Sequence, residues 1–114
     1  MIIVPPVNVS RIEGDKAEIV CEARGLPANV TFTWYRENHA VKSIPWLEAR
    51  AQLKTNGTLV INPVQADDAG QYTCEATNGI GDPKRASAYL QVQCKIWFFS
   101  ISNHSWHVTF SHQN

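Results

Sequence analysis

Asp67, Asp68, Tyr72 and Cys74 stand together in one short stretch, DDAGQYTCEA. An acid, a phenol and a thiol could share acid–base and nucleophilic chemistry if the fold arranged them around one cleft. They could equally be parts of a framework. A second set is His104, His107 and His112, where the i, i+3 spacing of the first pair would suit a metal ion on a helix. Ser, Thr and β-branched residues around these histidines argue against a helix, and no carboxylate lies nearby to complete a site. No G-x-S-x-G, no phosphate-binding glycine loop and no H-E-x-x-H occurs in the chain. Neither catalysis nor a metal or other cofactor is expected, so the elements that carry these residues have to explain them.

The 114 residues suit one domain with a single core. Lys and Arg balance Asp and Glu at ten each, so no strong field draws the chain to nucleic acid or to an acidic membrane surface. The opening MIIVPPV lacks the charged region of a signal peptide, and no run of about 18 apolar residues offers a membrane span. Any targeting signal or anchor is expected to lie outside this chain. Of the three cysteines, Cys21 and Cys74 stand far apart, without the short spacing of a zinc site or a C-x-x-C redox pair. One long-range disulfide in an oxidising compartment is the simplest reading. Four N-x-S/T sequons, at Asn8, Asn29, Asn56 and Asn103, point the same way and are glycosylation candidates.

Helical periodicity is scarce, and short alternating runs are frequent. KAEIVCEA puts Ala17, Ile19 and Cys21 on one face and Lys16, Glu18 and Glu22 on the other, the pattern of a strand with one wet side. VTFTWYRE does the same with Phe32 and Trp34. GTLVINP offers Leu59 and Ile61, GQYTCEATN offers Tyr72, Cys74 and Ala76, and RASAYLQV offers Ala88, Leu90 and Val92. Turn signals separate them at EGDK, GLPAN, TNG and TNGIGDP. Many short strands with regular turns imply an all-β antiparallel sandwich or barrel.

The order Cys21, Trp34, Cys74 is that of an immunoglobulin sandwich, in which a disulfide joins two sheets and an indole packs against it. Tyr72, two residues before the second cysteine, fits a tyrosine corner whose hydroxyl returns to backbone near Asp68. Arg50 is expected to hold Asp68 at that corner. The stretches VCEARGLPANVTFTWYRE and LKTNGTLVINPVQADDAGQYTCEATNGIGDP resemble an I-type (I-set) immunoglobulin domain of a neural cell-surface receptor, and within that class the chain is most similar to the turtle family. The resemblance covers roughly residues 4–92. It implies framework duty for Cys21, Trp34, Tyr72 and Cys74, and membership of an anchored ectodomain associated with adhesion between neurons, dendrite growth and synapse organisation.

Residues 1–93 are therefore read as the immunoglobulin-like domain and residues 94–114 as an atypical tail. From Cys94 onward the tail carries one formal charge, Lys95, and five large aromatic residues, Trp97, Phe98, Phe99, Trp106 and Phe110, without a clear period. An alternative C-terminus packed on the domain, a segment foreign to the usual coding exons and the first strand of a further module all fit. Cys94 has no expected partner within the domain and reads as a free thiol or an intermolecular bridge.

If Trp34 and Leu90 face inward, then Thr33, Tyr35, Tyr89 and Gln91 face outward, with Thr73 and Glu75 between them. In the immunoglobulin topology these strands are neighbours, so Tyr35, Thr73, Glu75 and Tyr89 would share one flat, weakly polar face suited to a protein partner. Trp46 in SIPWLEAR is a second binding candidate, or else plugs the edge of the sandwich. A glycan on Asn29 would shade one end of the face, while Asn8 and Asn56 are expected nearer the opposite sheet or its edge. Two functions fit: an adhesion module meeting its own kind or another receptor in trans, and a ligand-binding domain of a growth-factor or guidance receptor. No small-molecule substrate is expected.

Overall fold

An alternating segment can bury one side and wet the other only when its backbone is extended. In the computed structural model, which describes residues 2–23, 30–79, 81–102 and 105–113, the alternating runs form strands. These are β1 (Ile2–Val4), β2 (Val9–Ile12), β3 (Ala17–Ile19), β4 (Glu22–Ala23), β5 (Thr31–Arg36), β6 (His39–Ala40), β7 (Ala51–Leu53), β8 (Leu59–Ile61), β9 (Gly70–Thr77), β10 (Lys84–Ser102) and β11 (Ser105–Gln113). One helical turn, α1 (Pro45–Glu48), leads into β7.

One sheet runs β11, β10, β9, β5, β6, with β2 added to β10 in parallel; the other runs β3, β8, β7. β1 and β4 pair separately. Between the sheets lies one apolar core that includes Ile19, Leu47, Ile61, Val64, Tyr72, Leu90 and Val92. Burial of each such side chain supplies on the order of 2 kcal/mol, which makes the inward positions the main source of stability. Val60 departs from the simple alternation. It is buried although its neighbours Leu59 and Ile61 face the core, because β8 is the central strand of its sheet and Glu18 and Gln52 stand across from Val60 on either side. The β5–β6 hairpin turns through Glu37 and Asn38, both at positive φ (47° and 68°), the conformation that suits the twist of a two-residue hairpin.

Cys21, just beyond β3, is bonded to Cys74 on β9, with Cα atoms 6.6 Å apart. Trp34 stands opposite Cys74 across β5 and β9, and its Nε1 donates to the Gly57 carbonyl at 2.8 Å. Gly57 has φ +106°, and a Cβ there would run into the Cys21 carbonyl and the Phe32 ring. Glycine is therefore required where the turn passes close over the core.

The acidic corner is equally committed. Tyr72 Oη donates to the Asp68 carbonyl at 2.7 Å. The Arg50 guanidinium meets both Asp68 oxygens, at 2.6 and 2.7 Å, and also donates to the Pro63 carbonyl at 2.6 Å. The Gln65 amide donates to Asp68 Oδ2 at 2.7 Å. Burial, with the Asp68 charge second, pushes the Tyr72 phenol well above its usual range, and the hydrogen bond to Asp68 raises the pKa of Arg50. In DDAGQYTCEA the Cys74 thiol is thus oxidised, the Tyr72 phenol is held protonated against backbone, and the Asp68 carboxylate is engaged. No reactive trio remains among them.

The strand β10 runs through the 93/94 boundary without a break and pairs with β11 as an antiparallel hairpin, from Val92 opposite Gln113 to Ser102 opposite Ser105. Of the tail histidines, His104 lies outside the described residues, whereas His107 and His112 stand opposite Ser100 and Gln93. Among the described residues no helix is long and apolar enough to cross a membrane.

Candidate recognition face

The pairing of β5, β9 and β10 sets outward side chains in rows. Thr33, Glu75 and Arg85 stand across from one another; Tyr35, Thr73 and Ser87 form the next row; Gln71 and Tyr89 form the third. Inward positions of the same strands hold Trp34, Cys74, Tyr72, Ala88 and Leu90, all buried. The disulfide and the tyrosine corner fix these strands from beneath, so the outward groups ride on a rigid support.

Arg85 organises the centre. Its Nε and Nη2 each lie 2.6 Å from Glu75 Oε2, and its guanidinium sits over the Tyr35 ring, 5.3 Å from the centroid. Cation–π contact of this exposed kind contributes about 0.5–1 kcal/mol and holds both side chains flat. Tyr35 Oη is 3.5 Å from Glu75 Oε1, and Thr73 shares a 2.8 Å hydroxyl hydrogen bond with Ser87. Asn38 and Gln71 complete the rim of a shallow depression of about 400 Å³ beside this cluster.

Here the sequence expectation needs correction. Glu75 points outward but does not present its carboxylate, because its side chain is only 14% exposed beneath Arg85, whose own side chain is 62% exposed. The charge this face presents to solvent is the guanidinium, which spends two of its N–H donors on Glu75 and keeps the rest. Arg85 and Ser87 share the outward parity of Tyr89 in RASAYLQV, so the alternation that located Tyr89 also contained them. What it lacked was the register that sets Arg85 against Glu75.

Tyr89 is 58% exposed and lies two positions along β10 from Ser87, at one end of the face. Trp46 does not plug the sandwich: it is 46% exposed on α1, whereas its neighbour Leu47 is fully buried. Its ring lies under Arg36, 5.5 Å from the guanidinium, and Arg36 is itself tied to the Asp67 and Ala69 carbonyls at 2.9 and 2.7 Å. Trp46 therefore belongs to the end of the sheet near the tyrosine corner and not to the Tyr35 cluster.

Asn56 lies in the β7–β8 turn, where its Oδ1 caps the Thr58 amide at 3.0 Å. Asn8 is bonded to the sheet that carries this face, at its β10 edge, and not to the opposite sheet or its edge. Its Oδ1 accepts from the Tyr89 amide at 2.9 Å, since β2 pairs in parallel with β10 and carries Asn8 to the edge of the candidate face. Asn29 and Asn103 lie outside the described residues. Cys94 is buried and free, and burial pushes its thiol up.

With this framework in place, the model for an immunoglobulin domain matches residues 1–78. The chain belongs to the immunoglobulin domain family. It is 52% identical over 93 residues to Protein turtle of Drosophila melanogaster, a match covering 82% of this chain and 6% of that protein. It is 39% identical over 92 residues to Protein turtle homolog A of Homo sapiens, covering 81% of this chain and 8% of that protein. Among solved structures, Drosophila OTK extracellular domains 3–5 match with a TM-score of 0.70 and 31% identity, over 81% of this chain and 30% of that one. The similarity to turtle proteins drawn from the sequence is borne out. This immunoglobulin domain spans less than a tenth of the length of those two turtle relatives.

Proposed function

We propose that this immunoglobulin domain is an extracellular recognition module of a membrane-anchored neuronal adhesion receptor, and that it meets a protein partner through the face of β5, β9 and β10. The observation that carries this reading is the Arg85–Tyr35–Glu75 cluster: an exposed cation and an aromatic ring, pre-ordered on a rigid sheet, beside a shallow polar depression. Aromatic and Arg side chains supply large contact area at low ordering cost and are enriched where binding energy concentrates. The similarity to turtle proteins supports placing the domain in a cell-surface ectodomain, and the Cys21–Cys74 disulfide fits an oxidising compartment. The partner is a second copy of the receptor or another surface protein, and the role is recognition in neuronal adhesion and synapse or dendrite organisation, not catalysis.

A contact limited to one such face is weak, around the micromolar range or weaker, and adhesion then depends on several domains and many copies acting together. The test uses cells bearing the full ectodomain, mixed with cells that lack it. Clustering of bearing cells among themselves, lost on replacing Tyr35 with Ser and Arg85 with Glu at equal surface level, is the expected result for self-recognition. Clustering only with cells that lack the ectodomain would assign a different receptor as partner. Response to a soluble growth or guidance factor without any clustering would favour the ligand-receptor alternative.

A further inference from the structure

We infer that Asn8 carries an N-linked glycan that shields Tyr89 and the open edge of β10, leaving the Tyr35–Arg85 centre of the recognition face clear. The inference rests on the reading that the domain passes through the secretory pathway.

Asn8 is exposed and begins the sequon Asn8-Val9-Ser10. Its amide orientation is settled by chemistry: the Tyr89 N–H can only donate, so the atom facing it at 2.9 Å is Oδ1, and that bond does not use Nδ2. Nδ2 is the atom that glycosylation uses. In that transfer from a lipid-linked oligosaccharide diphosphate, Nδ2 loses a proton and bonds to the first sugar carbon, and the lipid diphosphate departs. The hydrogen bond through Oδ1 survives the modification, so the first sugar would be anchored in a fixed direction beside Tyr89.

The place explains the use. β9 pairs with Lys84–Leu90 on one side of β10, while β2 covers the other side only from Leu90 to Gln93. Among the described residues no strand pairs with the outer edge at Lys84–Ala88. An open edge is a template for unwanted strand pairing, and bulky polar cover is one remedy. A glycan rooted at Asn8 stands where that edge begins, and the exposed Tyr89 ring offers a flat surface for a sugar to lie on. Tyr35 and Arg85 lie one and two rows further along the face.

The full receptor, produced in animal cells, is digested with trypsin, and the peptide ending at Arg11, in which Asn8 is the sole sequon of this sequence, is read by mass spectrometry after enzymatic glycan release. Release converts a modified Asn8 to Asp, and that conversion is expected in the wild type and absent in Ser10→Ala, which keeps Asn8 and its bond to Tyr89. Nitration of Tyr89 by tetranitromethane should be severalfold faster in Ser10→Ala. Unmodified Asn8 beside an intact Cys21–Cys74 disulfide, which reports passage through an oxidising compartment, would overturn the inference; equal nitration rates would overturn the shielding. An occupied Asn8 with a shielded Tyr89 on a receptor that clusters no cells would support this inference while removing the adhesive one.

Discussion

At the scale of single residues, the acid, phenol and thiol of DDAGQYTCEA acquire their meaning from partners elsewhere in the chain. Tyr72→Phe keeps the ring and removes the bond to the Asp68 carbonyl, so it should cost on the order of 1–3 kcal/mol, with binding intact in the folded fraction. The same residue gives a pH dependence. Its folded pKa is raised above the ordinary value of 10.0, so above that pH the unfolded chain gives up a proton that the folded chain keeps. Stability should then be fully present below about pH 10 and decline as pH rises, by at most about 1.4 kcal/mol per pH unit for one proton. Denaturant melts at neutral and alkaline pH should show this decline in the wild type and a smaller one in Tyr72→Phe. Arg50→Met tests the other half of the corner. It leaves a fully buried Asp68 carboxylate without its ion-pair partner, and a loss of about 3–5 kcal/mol is expected in the same melts. A loss below 1 kcal/mol would mean that the amide of Gln65 alone satisfies the acid.

At the scale of elements, the disulfide joins β9 to the segment after β3 and so holds one sheet on the other. Its removal by Cys21→Ala with Cys74→Ala should destabilise the domain by roughly 4 kcal/mol in the chain-entropy estimate; a non-reducing peptide map linking Cys94 to either residue would contradict the pairing. The strands themselves were legible because alternation in KAEIVCEA, VTFTWYRE and GQYTCEATN reports which side is wet, and a sandwich is the arrangement that buries one side of each. Other features depend on neighbours that alternation does not name. Val60 is covered because two strands flank it. The turn at Glu37 and Asn38 carries no glycine, and so gave no turn signal. Asn8 lies beside β10 because β2 pairs with it in parallel, and that pairing joins segments far apart in the chain. Arg85 is hidden from alternation for a related reason: its importance comes from standing opposite Glu75 and over Tyr35, which is a matter of register between strands.

At the scale of the whole molecule, a chain of balanced formal charge on an immunoglobulin framework presents the Arg85–Tyr35–Glu75 cluster on the outward face of β5, β9 and β10. The opposite faces of these strands are given over to the core, so the Arg85 cluster can be changed without disturbing the framework. Arg85→Glu is the sharpest single change. It puts a second carboxylate against Glu75, removes the cation from the Tyr35 ring and reverses the charge shown to a partner, all at a side chain that is mostly in solvent. The decisive measurement is the clustering of cells bearing the full ectodomain with Arg85→Glu, at surface levels matched to the wild type, alongside the melting temperature of the purified domain. The account predicts that clustering is lost while the melting temperature falls by no more than a few degrees. Undiminished clustering by a folded Arg85→Glu ectodomain would contradict it, and would move recognition to Trp46 or to another domain of the receptor.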